Sequence, residues 1–154
     1  MRRLFLIPSI VMLAMAFAPG PALAGPLQTF HLEKACPSPT FGDNACDIIS
    51  ATGPFSVLVS GAVVYYDHTY FTNPAGYSFE DATVELVDAH DVTLAVGHIH
   101  WRMTPDGTFL GVYTLGGGSG ALAGVHATGA VTYAGEDGDG RPLFDLDGTY
   151  HTAG

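Results

Sequence analysis

Basic side chains are scarce in this sequence. Five lysines and arginines stand against fifteen aspartates and glutamates, a formal charge of −10 over 154 residues. Such a surface repels nucleic acid and anionic lipid, so neither is expected as a partner. Cysteine is nearly absent, with only Cys36 and Cys46. Their spacing is not the tight Cys-x-x-Cys of redox enzymes. After Ala24 no apolar run reaches the roughly 20 residues a membrane-spanning helix needs. No window there keeps a helical stripe free of interruption by glycine, of which the chain has 20, so helices are not expected. A Gly-x-Ser-x-Gly elbow, a phosphate-binding glycine loop and a His-Glu-x-x-His pair are also missing. No hydrolase is expected on these grounds, and no cofactor is implied.

The first 24 residues have the form of a cleavable export signal. Arg2 and Arg3 are a short basic start, Leu4 to Ala18 is apolar apart from Pro8 and Ser9, and Ala22-Leu23-Ala24 supplies small residues for cleavage. Arg2-Arg3 also fits a twin-arginine signal, but the usual polar residue before it is missing, so the general route is expected. The segment takes two of the five basic residues and no acid. The mature stretch, residues 25–154, is therefore more acidic still and long enough for one domain. A bacterial-type secreted or periplasmic location is expected, with no membrane span after cleavage. In an oxidising compartment Cys36 and Cys46 are expected to pair, closing a short loop for a gain on the order of 2–3 kcal/mol.

The remainder is rich in strand signals: alternating apolar residues, β-branched runs and glycine punctuation. Strands are predicted over Leu27–Ala35, Phe55–Tyr66, Phe79–Val87, Val92–Met103, Thr108–Leu115, Val125–Tyr133 and Pro142–His151. Asp67–Ser78 reads as a loop, Asp88–Asp91 and Pro105–Gly107 as tight turns, and Gly135–Gly140 as an acidic hairpin tip. The last strand alternates plainly. Phe144, Leu146, Gly148 and Tyr150 share one face, and Asp145, Asp147, Thr149 and His151 the other. Seven or eight strands with short turns make an all-β antiparallel meander. Closing it removes exposed edges, so a calycin-like β-barrel is the first expectation and a two-sheet sandwich the alternative.

The segment Gly117-Gly118-Ser119-Gly120-Ala121-Leu122-Ala123-Gly124 resembles a signature of the allene oxide cyclase barrel and the related dirigent proteins. Leu122 stands at the apolar position and Gly124 at the second glycine, and the strands around them follow a similar order over residues 92–151. The resemblance implies an eight-stranded barrel with a central cavity for a hydrophobic small molecule. It further implies cofactor-free steering of a ring closure or coupling, and association as dimers or trimers. No catalytic residue of that family can be placed on this sequence.

The polar set that stands out is His98, His100 and Arg102, which a regular strand puts on one face, opposite Ile99, Trp101 and Met103. Facing the lumen, the set could orient a ligand or move a proton near neutral pH. Facing solvent, it is decoration. Val92, Leu94 and Val96 share its parity, so either the face changes at Gly97 or a bulge there flips the register. With Tyr113, and Tyr66 at the mouth, these residues are the candidate ligand contacts. A metal-binding extracellular protein, using His-x-His with His126, His151 or a carboxylate, is a further alternative, although no third ligand has a diagnostic spacing. Asp137-Gly138-Asp139-Gly140 lacks the remaining ligands of a calcium loop. A secreted or envelope-associated module that binds through its outer surface completes the set of readings.

Overall fold

In a computed structural model, residues 25–37 and 45–153 are described. The signal-like segment 1–24, most of the cysteine loop (38–44) and Gly154 lie outside them. The described residues form strands β1 (Gln28–Ala35), β2 (Ala45–Ala51), β3 (Ala62–Thr72), β4 (Ser78–Val87), β5 (Thr93–Met103), β6 (Phe109–Gly116), β7 (Val125–Glu136) and β8 (Pro142–Thr152). Two short 3-10 helices, η1 (Gly53–Leu58) and η2 (Gly120–Leu122), interrupt them. Each strand pairs antiparallel with the next, and β1 pairs with β8 along its whole length, so the meander closes into a barrel rather than splitting into two sheets.

Three boundaries differ from the sequence reading. The apolar run Phe55–Tyr66 is not one strand, because η1 takes its first part and β3 begins only at Ala62. Gly53 at φ 61° and Ser60 at φ 69° turn the chain on either side of η1, and Pro54 suits a helix start, where no donor is needed. β2 occupies the stretch between the cysteine loop and Phe55, where the strand signals are too weak to assign an element. β3 continues to Thr72, well into the stretch read as loop, because a bulge at Asp67–His68 carries it past the irregularity.

The two ends of the barrel differ. At one end η1 and η2 fold under the strands and touch each other. They deliver Phe55, Leu58 and Leu122 into the interior, where all three are fully buried. Phe55 stacks on Phe30, with ring centroids 4.1 Å apart, and meets Tyr150 edge-on. Gly118 must be glycine for this plug to form, since a Cβ there would stand 1.9 Å from the Leu122 carbonyl oxygen. Just above, Gly129 of β7 and Gly148 of β8 are cross-strand partners, and the Tyr113 hydroxyl lies against both. The missing side chains make room for that ring. The other end holds the Cys36–Cys46 disulfide and three hairpin turns, and among the described residues spaces of about 150 and 270 Å³ lie there.

Two bulges decide which residues face inward. On β5, Thr93 pairs with Val87 and Ala95 with Leu86, leaving Leu94 unpaired. Leu94 and Ala95 are both buried as a result, and parity reverses two residues before Gly97. Ile99 and Trp101 then point inward, and His98, His100 and Arg102 point outward. On β3, Val63 and Tyr65 point inward and Tyr66 outward by plain alternation, and the Asp67–His68 bulge then reverses the phase, turning His68 towards buried Glu80.

Candidate functional site

The alternation of β1 buries Phe30, Leu32 and, in the same phase, Lys34. Lys34 is the only lysine in the chain and is 3 % exposed. Its amine donates to the Tyr65 hydroxyl and lies 3.9 Å from Sγ of Cys46, which is paired with Cys36 as expected. It also sits 4.7 Å from the Tyr65 ring centroid and 5.2 Å from that of Phe144, close enough for a cation–π attraction. No carboxylate among the described residues is within ion-pair distance of it.

Glu80 stands behind this pair. The strict alternation of β4 buries Ser78, Glu80, Ala82, Val84 and Leu86 together, and Glu80 is 1 % exposed. His68, turned inward by the β3 bulge, is 3.1 Å from Oε1 of Glu80, whereas Oε2 has no protein partner among the described residues. Towards the rim, Thr72 donates to the Tyr70 hydroxyl, which donates to Ser78. These two hydrogen bonds hold the Tyr70 hydroxyl below the ordinary tyrosine range.

Burial dominates the electrostatics. Removing an ammonium from water disfavours its charged form, and Lys34 is pushed down from 10.5 to about 7, with the Glu80 charge opposing the shift. Burial, then the same negative charge, pushes the Tyr65 hydroxyl above its usual range, so it stays a proton donor. The amine of Lys34 is thus largely free base just above neutrality, beside a hydroxyl that keeps its proton.

A chamber of about 150 Å³ opens beside this amine, walled by Tyr65, Tyr70, Ile99, Trp101, Phe109 and Phe144. A second space of about 270 Å³, bordered by Tyr133, Pro142 and Phe144, continues it outward between the hairpins. Trp101, Phe109, Phe144 and Tyr133 form a chain of ring contacts along this route, with centroids 5.1–5.8 Å apart. The lining is apolar and aromatic with one amine and two tyrosines, the composition of a small-molecule pocket.

The five candidate residues from the sequence do not meet here. His98, His100 and Arg102 line shallow outer grooves with Leu110, Val112 and Ala130, and His100 lies 3.2 Å from Asp81. Tyr66 is on the same outer surface, across Thr83 from His98. Tyr113 does point inward, but it is 1 % exposed and packs against Phe30 in the filled half. Burial and Asp147 push its hydroxyl above the ordinary range, and that oxygen has no protein partner among the described residues. His126 and His151 are cross-strand neighbours with stacked rings 5.3 Å apart. Among the described residues no three side chains gather as a metal-holding group. At the acidic tip, Asp137 accepts from the backbone of Asp139 and Arg141, and Arg141 bridges it to Asp47.

Lys34→Met, a near match in shape, tests the electrostatic account. A folded state whose lysine titrates at about 7 binds fewer protons than the unfolded chain up to 10.5. Stability of the natural chain should therefore rise with pH across that window, by on the order of several kcal/mol. The methionine chain should lack that rise. Thermal melts of both chains between pH 6 and 10 check it: the advantage of the methionine chain should be largest at pH 6 and shrink steadily. A constant difference would mean that Lys34 is solvated.

The chain matches no family model, and no curated protein or solved structure is similar enough to it to count as a match.

Proposed function

We propose that this chain is an exported barrel of the allene oxide cyclase and dirigent type. In this reading it binds a compact hydrophobic molecule, carrying one polar group, in the chamber at its disulfide end. The observation that carries the reading is the meeting of an aromatic wall with the chain's single lysine, which is buried. A cavity of about 150 Å³ lined by apolar side chains is enough for one benzene-sized ring. The outward extension leaves room for a substituent. Lys34 and Tyr65 supply the polar anchor, and the walls supply shape.

Kinship with that family is supported by the closed eight-stranded meander and by the glycine segment that becomes η2. Export is supported by the signal-like start and the Cys36–Cys46 bond. Association into dimers or trimers belongs to the same proposal. Steering a bound molecule's ring closure or coupling asks for a shaped pocket and a few fixed polar groups, and the chamber offers both.

Trp101, the only tryptophan, forms part of the wall and reports occupancy by its fluorescence. Titration with toluene, para-cresol and benzyl alcohol should give saturable changes. The two polar molecules should bind about tenfold more tightly than toluene, the worth of one hydrogen bond to the buried anchor. A chain with His98→Ala and His100→Ala should bind them unchanged. Weakened binding in that chain would move the site to the outer groove, and no saturable response to any of the three would sink the reading.

A further inference from the structure

We propose that Lys34 captures small aldehydes covalently, as an imine formed inside the chamber; this rests on the binding reading above. A surface lysine is common and needs no explanation. A lone buried one, at the wall of an aromatic chamber and with no carboxylate among the described residues in ion-pair reach, is a poor structural cation, because burying an unpaired charge is costly. The same position suits a neutral amine. An amine that loses its proton near pH 7 has a free-base fraction roughly a thousandfold above that of an ordinary lysine at that pH. Desolvation in an apolar pocket is a recognised way of making a lysine nucleophilic.

The neighbours complete the chemistry. The Lys34 nitrogen adds its lone pair to the carbonyl carbon, and the C=O π electrons move to oxygen. The Tyr65 hydroxyl, already hydrogen-bonded to the amine and held in its protonated form, lies where it can protonate that oxygen. One nitrogen proton passes to the tyrosinate and gives the neutral carbinolamine; the restored hydroxyl then protonates the departing oxygen, which leaves as water. The second nitrogen proton returns to the tyrosinate, leaving a neutral C=N bond and an unchanged tyrosine. One aldehyde and one amine become one imine and one water, with no oxidant or reductant consumed. When the imine is protonated, the rings of Tyr65 and Phe144 lie within cation–π reach of the nitrogen. The aromatic walls limit the water that would reverse the reaction. The chamber's size favours a single-ring aldehyde over a bulkier carbonyl compound.

Benzaldehyde with cyanoborohydride tests this on the folded, disulfide-intact chain. The hydride reduces any imine to a stable secondary amine, read as a one-benzyl gain in intact mass and located by peptide mapping. With one lysine in the chain, only Lys34 and the terminal amine can respond. The expected result at pH 7.5 is one benzyl group on Lys34, saturable in benzaldehyde and at least about hundredfold faster than in the urea-unfolded chain. Labelling rate should rise through pH 7 rather than pH 10.5. Tyr65→Phe should slow labelling by about tenfold or more. Labelling of the terminus alone, or of Lys34 no faster than in urea, would overturn the imine. Saturable quenching of Trp101 by toluene in that same sample would leave the binding reading standing. Loss of both signals would take down the two together.

Discussion

Gly129→Ala is expected to leave no cooperatively folded barrel. A Cβ at that position would stand 2.0 Å from the carbonyl oxygen of Asp147, 2.6 Å from the Tyr113 hydroxyl and 2.7 Å from the Cα of Gly148. Tyr113 could in principle swing away, but the carbonyl and the Cα belong to β8, whose pairing with β7 is in regular register from Val125 to Tyr133. Relief would require parting the two strands. Ordinary overpacking costs about 1–3 kcal/mol. Here the obstacle is backbone, and the cost should exceed that range and consume much of the roughly 5–15 kcal/mol typical of a domain. The measurement is a thermal melt followed by near-ultraviolet circular dichroism, in which the sigmoidal transition should be lost or shifted far down. Gly138→Ala at the β7–β8 tip is the control, because nothing lies within 4 Å of its would-be Cβ. That chain should melt like the parent. An equally harmless Gly129→Ala would mean that β7 and β8 are not paired in this register.

Phe55→Ala should be the next most damaging change, costing about 3–5 kcal/mol. Phe55 is fully buried, stacks on Phe30 and meets Tyr150 edge-on. It is held from η1, whose short turn cannot slide inward to fill the gap. The chemical-denaturation midpoint should fall while the slope of the transition stays the same, the sign of lost packing without a change in the unfolded chain. The hole would be apolar and lined by aromatic rings, so it should stay dry and accept a benzene-sized molecule. Such binding would lie at the plugged end, away from Trp101. Benzene should therefore raise the melting temperature of the alanine chain without adding to the Trp101 signal. An unchanged midpoint would show that η1 is not a plug.

Much of the barrel is legible in two-residue alternation, and the later strands are the clearest. Phe144, Leu146 and Tyr150 face the interior as their spacing requires. The departures have local causes. Phe55, Val57 and Leu58 look like strand by composition, yet Gly53-Pro54 ahead of them and the turn at Ser60 make a 3-10 plug instead. The face presented by His98 stays open at the level of spacing because parity reverses at Leu94–Ala95, a bulge with no glycine to mark it.

The chamber escapes a reading of the sequence for a different reason. Lys34 lies in phase with Phe30 and Leu32, and Glu80 in phase with Ala82, Val84 and Leu86. A charged residue at an inward position of an otherwise apolar alternation is the signal that the sequence carries. The denser cluster of polar groups is His98, His100 and Arg102, which share a face with the exposed Val96. The meeting of Lys34 with Tyr65 depends on the barrel's curvature across β2, and no spacing along the chain carries that information.

The join between β1 and β8 has a consequence for how the molecule comes together. Every other pairing links strands adjacent in the chain and can zip up from a hairpin, whereas this one unites the two extremities, with Gly25 bonded to Thr152. Contacts so distant in sequence form slowly, so this seam is expected to seal last. Until then two raw margins of backbone donors and acceptors stay open to any passing strand, including one from a sister molecule. The surplus of acid, ten negative charges over the whole chain, keeps such half-built molecules apart during that interval.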